Sequence, residues 1–508
     1  MASGVYKRRI LDVTVFVCGA VVMVFEIVGS RVLSPFIGTS TYIWTSLIGV
    51  ILASLSLGYW LGGRMADRRP DVKVLAAFIL AAGGLISLTV LLKEILLSFI
   101  AAAPMPLEIK ALVAALLLFA PASICLGVVT PFTTRLVITS VEKTGSTVGR
   151  LYALSTVGSI LGTFAAGFFL IPFVGSIRTL YFISLVLIVL SACLAPLAAS
   201  KLNITVIMLF LLSIAANETH AFLLRQNSGL HDIDTEYGRV QVFRTKDAKT
   251  GRDIVGLATD PYFAQSAAYI DSDELVLEYS PYYHLIRHFK PDFSETLIIG
   301  GAGYSFPKEY LRSYQNARLD VVEIDPRMTA IARDHFRLTD DARMQIIHED
   351  GRMYVNRAES DKYDAVLMDA FGSLFSVPYH LTTREAVVNL SRILKDDGVV
   401  IFNLGSAITG PGSKFLQAEL RTYRDVFPNV YLFKVRSDYT DDKMQNLIIV
   451  ASRSPQPAAM TSDDPGIASL LDHQYTVDLA LNEPILTDDL APVEYYNSIA
   501  QNLYLSSR

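Results

Sequence analysis

Long apolar runs fill the first 222 residues, and shorter ones separated by polar stretches fill the rest. The long runs lie at about 11–33, 43–62, 74–92, 108–136, 151–173, 178–198 and 203–222. Each is close to the roughly 20 residues that an α-helix needs to cross a bilayer, so the pattern predicts an N-terminal all-α bundle of about seven transmembrane helices. The fourth run carries Pro121 and Pro131 but is too short for two full crossings. The seventh is the weakest, because Asn203 and Asn217 leave an apolar middle of only Ile204 to Ala216. It fits either a crossing or an interfacial helix.

Beyond residue 222 the period changes. Two β-rich runs, Gly238 to Arg244 and Asp253 to Leu257, predict a small hairpin. From Leu297 strands alternate with helices: Leu297–Ile299, Leu319–Ile324, Met344–His348, Ala365–Met368 and Val399–Asn403 as strands, with helices near 307–314, 326–335, 383–394 and 413–425. Such alternation implies a parallel sheet covered on both faces, an α/β Rossmann-like domain. The division that follows is 1–222 for the membrane bundle, 223–290 for the β-rich part and 291–508 for the Rossmann-like domain.

Charge sets an orientation. With the N-terminus inside, inner loops hold Lys7, Arg8, Arg9, Arg64, Arg68, Arg69, Lys73, Arg135, Lys143, Arg150 and Lys201, and outer loops only Arg31, Lys93, Lys110 and Arg178. The expected location is therefore the bacterial inner membrane, with a cytoplasmic N-terminus and the lipid bilayer as a partner. No small-residue cleavage site follows the first run, so it reads as a retained anchor. Glu26, inside that run, has Arg31 as its expected ion-pair partner, and Gly58, Gly62 and Gly63 read as helix-packing positions. The three cysteines, Cys18, Cys125 and Cys193, all fall in apolar segments and read as packing residues. A net charge of −5 with no basic stripe argues against nucleic acid as a partner.

Candidate chemistry gathers at strand ends. The first strand ends in the glycine turn Gly300-Gly301-Ala302-Gly303, and the second in Val322-Glu323-Ile324-Asp325. A tight glycine turn lets backbone approach a nucleotide, and an acid about 20 residues on accepts the ribose hydroxyls. Asp350 follows the third strand and Asp369 the fourth. Any one of these carboxylates alone reads as a helix cap or turn residue. Their recurrence at successive strand ends, where ligands of such sheets bind, points to a site. Asp369, in Met368-Asp369-Ala370-Phe371-Gly372-Ser373 and shielded by Phe371 and Phe375, has two readings: a proton acceptor for an attacking amine, or an anchor for a cation. The turn does not match Gly-x-Gly-x-x-Gly, and there is no phosphate loop, no nucleophile elbow and no His/Cys cluster with metal spacing. An adenosine-type ligand without phosphates, and no metal, fits these residues.

The chain resembles the polyamine aminopropyltransferases, the spermidine synthase family, in its bacterial form fused to a multipass membrane region. In the membrane half the resemblance rests on Phe25-Glu26-Ile27-Val28-Gly29-Ser30-Arg31 and Gly58-Tyr59-Trp60-Leu61-Gly62-Gly63-Arg64-Met65-Ala66-Asp67-Arg68. In the soluble half it rests on Glu236-Tyr237-Gly238, the glycine turn, Val322 to Pro326, Asp350-Gly351-Arg352, Val377 to Thr383 and Leu486 to Glu494. The resemblance implies decarboxylated S-adenosylmethionine as co-substrate, a polyamine such as putrescine as acceptor, methylthioadenosine as by-product, and pairing into a homodimer. It implies that Gly300, Gly301, Gly303, Gln265, Glu323, Asp350 and Gly351 hold the nucleoside, with Glu323 on the ribose and Asp350 on the adenine amino group, and that Asp369 is the general base. At two positions this chain departs from the family's pattern. Gly303 stands where an aspartate clamps the aminopropyl amine, and Gly372 where a second aspartate holds the polyamine. These departures leave two alternatives: methyl transfer from S-adenosylmethionine, and a degenerate ligand-binding or transport-coupled membrane protein.

Overall fold

The computed structural model describes residues 2–38, 40–138, 144–195, 200–259, 263–370 and 377–506. Lys143, Phe371, Gly372, Ser373 and Phe375, which figure in the sequence reading, lie outside the described residues. Two compact units are present: Met1–Asn227 with Asp232–Arg239, and Ser228–His231 with Val240–Arg508.

The first unit is helical: α1 (Ala2–Ile37), α2 (Thr41–Arg68), α3 (Val72–Ala102), α4 (Leu107–Leu118), α5 (Ala120–Val137), α6 (Thr144–Ala165), α7 (Ser176–Leu194) and α8 (Lys201–Ser228). A π-helical segment, Ala166–Val174, carries α6 onward through Pro172. Among the described residues seven helices are long and apolar enough to cross a membrane. The predicted fourth run is two helices, α4 and α5, separated at Phe119. Pro121 starts α5, where its missing N–H forfeits no helical hydrogen bond, and Pro131 lies inside it. The seventh run is one continuous helix. Val206 of α8 packs with Leu80 of α3 and Ile188 of α7, and Tyr181 donates to the Ser213 carbonyl at 3.4 Å, so α8 runs antiparallel along α7.

Small residues bring α2 and α5 together. A side chain on Gly58 would strike the backbone of Ile124 and Gly127, and one on Gly62 would lie 2.8 Å from Val128. Gly63 faces open space and is not a packing position. The expected Glu26–Arg31 ion pair is also absent among the described residues. One turn apart plus one residue, the two side chains diverge around α1, and Arg31 instead donates to the Glu236 carbonyl at 2.6 Å. Cys18 is buried, Cys125 half-buried and Cys193 exposed, and all are free.

After β1 (His231–Asp234), most of which falls in the first unit, β2 (Arg239–Lys246), β3 (Asp253–Ala258) and β4 (Ser266–Tyr269) pair in chain order, where a single hairpin was expected. The larger sheet holds β5 (Glu295–Ile299), β6 (Arg318–Val322), β7 (Met344–Ile347), β8 (Tyr363–Met368), β9 (Leu394–Ser406), β10 (Asn429–Lys434) and β11 (Gln445–Ser452). Its order is β10-β11-β9-β8-β5-β6-β7. The five strands from β7 to β9 are parallel, as predicted. The whole sheet is not: β11 runs antiparallel to β9, and β10 to β11. Helices α9 (Ile286–Phe289), α10 (Ser305–Ser313), α11 (Pro326–His335), α12 (Gly351–Arg357), α13 (Arg384–Ile393) and α14 (Lys414–Val426) belong to this unit. Asp325 accepts from the Arg327 N–H and Pro326 opens α11, a cap and a first-turn proline in sequence. Every residue of β8 is buried, which is why it reads as a continuous apolar run.

Candidate active site

Strand order reverses between β5 and β8, whose carboxyl ends lie side by side with Ile299 opposite Met368. That switch point is where a doubly wound sheet opens a crevice. Here Gly300 has φ +100°, and a side chain on it would collide with the Asp369 carbonyl. Only glycine satisfies both conditions. The turn then holds two non-glycine residues at positive φ, Ala302 at 44° and Tyr304 at 53°. Backbone in this region is costly and persists where the surroundings fix it. Tyr304 is fully buried, its hydroxyl 2.7 Å from Thr329 Oγ1, and Thr329 in turn lies 2.9 Å from His348 Nε2.

Glu323 binds the turn directly. Its Oε2 accepts from the N–H groups of Gly301 (2.8 Å) and Ala302 (3.1 Å), and its Oε1 from Asp325 (3.0 Å). Burial pushes its carboxyl above the ordinary range, and those three N–H donors oppose the shift. Oε2 is thereby filled, and Oε1 keeps one lone pair free of these bonds.

Asp369, at the end of β8, is the buried acid of the site. Its Oδ1 accepts from Asn403 Nδ2 at 3.1 Å and its Oδ2 from the Tyr279 hydroxyl at 3.1 Å. Tyr283 packs beside them with its hydroxyl 3.5 Å from the Met368 carbonyl. Burial raises the Asp369 carboxyl above its usual range, and the bonds from Asn403 and Tyr279 hold it partly down. Both tyrosines are pushed well above 10 by burial first and by Asp369 second, so at neutral pH they remain donors.

A cleft opens on these groups. Gln265, Tyr279, Gly300, Gly301, Ser305 and Asp369 line it, so four of the eight residues singled out in sequence share one cavity. Glu323 is one hydrogen bond behind it, through Gly301. Asp350 and Gly351 stand at the N-terminus of α12. Asp350 Oδ1 caps the Met353 N–H at 3.0 Å, its Oδ2 is 3.4 Å from His380 Nε2, and Gly351 packs on Ile299. Gly303 is not in the lining. A Cβ there would lie 2.5 Å from Ser266 Oγ and 2.9 Å from the Phe336 ring, so the space an acid would use is taken.

The sequence reading missed Tyr279, Tyr283 and Asn403. Asn403 left a trace, a lone polar residue closing the apolar run Val399 to Phe402. The tyrosines left only a cluster around Pro281. Among the described residues no group of three or more His, Cys, Asp or Glu side chains is placed to hold a metal ion.

Comparison with known proteins finds relatives of the second unit. Residues 278–452 match the spermine/spermidine synthase domain. A polyamine aminopropyltransferase of Vibrio vulnificus is 31% identical over 219 residues, 42% of this chain and 70% of that protein. One of Clostridium acetobutylicum is 27% identical over 198 residues, 36% of this chain and 64% of its own length. A crystal structure of a probable spermidine synthase from Corynebacterium glutamicum aligns with a TM-score of 0.40 and 20% identity, covering 47% of this chain and 85% of that one.

Proposed function

The chain belongs to the spermine/spermidine synthase family of polyamine aminopropyltransferases, and we propose that it moves the aminopropyl group of decarboxylated S-adenosylmethionine to a polyamine such as putrescine. The observation that carries this reading is the buried Asp369 carboxylate facing a cleft floored by the glycine turn. The acceptor nitrogen's lone pair attacks the carbon bonded to the sulfonium. The C–S bond breaks, its electron pair goes to sulfur, and neutral methylthioadenosine leaves. The proton released by the attacking nitrogen passes to Asp369, whose burial makes it a stronger proton acceptor than a free carboxylate. Glu323 takes the ribose hydroxyls, Asp350 the adenine amino group and Gln265 the nucleoside's edge, with backbone at Gly300, Gly301 and Gly351 against the ligand, while Gly303 packs away from the cleft. A homodimer through the synthase domain belongs to the same reading, as does the functional division at residues 222 and 290.

The helical unit is the membrane anchor. Arg135 pairs with Asp67 at 3.2 Å and Arg150 with Asp12, which groups the basic residues assigned to the cytoplasm at one end of the bundle. Asp232–Arg239 belongs to the other end. Asp234 accepts from the Ser176 N–H at 2.6 Å, where α7 starts, and Arg31 near the end of α1 donates to Glu236. The chain therefore leaves the bundle opposite its basic end, on the extracytoplasmic side.

One observation favours methyl transfer from S-adenosylmethionine as a second reading: Ser266 and Phe336 fill the place of the acid that would select the decarboxylated form. Mass spectrometry of the acceptor after incubation with each nucleoside decides between them. An aminopropyl adduct supports the first reading, a methyl adduct the second, and an unmodified acceptor with both nucleosides excludes both.

A further inference from the structure

Asp369 is held from two sides by groups of different character. The Tyr279 hydroxyl can rotate away from the carboxylate, whereas the Asn403 amide cannot turn freely. Asn403 lies on β9, next in parallel to β8, and is 7% exposed. While its Nδ2 donates to Asp369, its Oδ1 accepts from Asn446 Nδ2 of β11 at 2.9 Å. Flipping the Asn403 amide would set its oxygen against a carboxylate and its NH₂ against another NH₂, losing both bonds and adding two repulsions. The chain of donors thus has a direction, Asn446 to Asn403 to Asp369. Nothing in the proposed chemistry requires it, and Asn403 interrupts the buried apolar stretch Val399 to Leu404 of β9.

We propose that Asn403, locked by Asn446, is a positioning residue that fixes the orientation of the Asp369 carboxylate and favours its ionised form, leaving the remaining lone pairs to the substrate amine. The proposal deepens the reading of Asp369 as the proton acceptor and rests on it. Among the described residues, the titratable groups around Asp369 are Tyr279 and Tyr283 from the segment before α9, and Glu323 across the glycine turn. Both tyrosines stay neutral donors over the working range, and Glu323 is occupied by three backbone N–H groups. Losing the Asn403 donor leaves burial less opposed, so the proton affinity of Asp369 rises.

The test uses the full chain in detergent with Asn403→Leu, Asn403→Asp and Asn446→Leu. Asn403→Leu should move the acid limb of kcat to higher pH by about one unit, roughly a tenfold loss below the limb that is recovered on the alkaline plateau. Asn403→Asp should move it further, because two neighbouring carboxyls share a proton. Asn446→Leu, which leaves Asn403 in place, should move it less and in the same direction. KM for the sulfonium nucleoside should not change. A merely structural role would lower the melting temperature and leave the limb where it is, and that result in the Leu variants overturns the proposal. If Asn403→Leu does not fold, Asn446→Leu carries the test. Infrared titration of ¹³C-aspartate, taken as a difference against Asp369→Asn, reads the carboxyl midpoint without turnover. An enzyme with no aminopropyl transfer at any pH would defeat the functional reading, while an unshifted infrared midpoint would defeat this one.

Discussion

Burial and hydrogen bonding act in opposite directions on Asp369, and burial wins. Its carboxyl therefore ionises above the ordinary value of about 3.9, and the form that accepts a proton appears only as pH rises through the raised value. We expect kcat to climb with pH along an acid limb that lies above the range of a free carboxylate. A limb at or below about pH 4, measured with saturating nucleoside, would contradict that assignment. Glu419 on α14 shows the same physics without a catalytic use. It is fully buried, among the described residues neither carboxylate oxygen has a hydrogen-bond partner, and burial raises its pKa far above normal. With the folded value above the unfolded one, its contribution is fully present below about pH 4.3 and lost as pH rises toward the folded pKa. Glu419→Gln should gain on the wild type across that window, by roughly 2–8 °C in melting temperature at neutral pH and by nothing near pH 4. A difference that stays constant with pH would contradict the account. Neither effect was legible in the sequence. Asp369 could be found there by its place after an apolar strand, but the partners that set its proton affinity, Tyr279 and Asn403, come from 90 and 34 residues away.

At the scale of elements, the βαβ unit was the clearest feature of the chain, because three of its signals are local. A glycine turn with positive φ, an acid after the next strand and an Asp-Pro helix start each specify their own backbone, and α11 spans Pro326–His335 as its periodicity predicts. The antiparallel edge was not legible. β10 and β11 are short apolar runs joined by a polar loop, without the helix whose period distinguishes a parallel unit. The fate of Gly303 was hidden for another reason, since Ser266 and Phe336 reach it from β4 and from the end of α11. Gly303→Asp should therefore not restore an amine clamp. We expect a loss of about 1–3 kcal/mol in stability from overpacking and no gain in nucleoside affinity. Unchanged stability with tighter binding of the decarboxylated nucleoside would show that Ser266 and Phe336 yield.

For the whole molecule, charge bias along the sequence predicted which end of the bundle faces the cytoplasm, but hydropathy alone left α8 undecided. In the structure it runs antiparallel to α7, with Val206 and Ser213 meeting Ile188 and Tyr181 in that order. In a cysteine-free background, a membrane-impermeant thiol reagent should label Asp396→Cys, fully exposed near the start of β9 in the synthase unit, in intact cells, and should label Arg69→Cys only after lysis. The reverse pattern would place the synthase unit in the cytoplasm. The proposed chemistry itself is tested most directly by methylthioadenosine release from decarboxylated S-adenosylmethionine and putrescine by the detergent-purified full chain, beside Asp369→Asn. The account predicts release matched one to one by aminopropylated acceptor, with kcat about 10²–10⁴-fold lower in the variant and nucleoside binding retained. Equal rates in the two proteins, or no release from a wild type that binds the nucleoside, would contradict it.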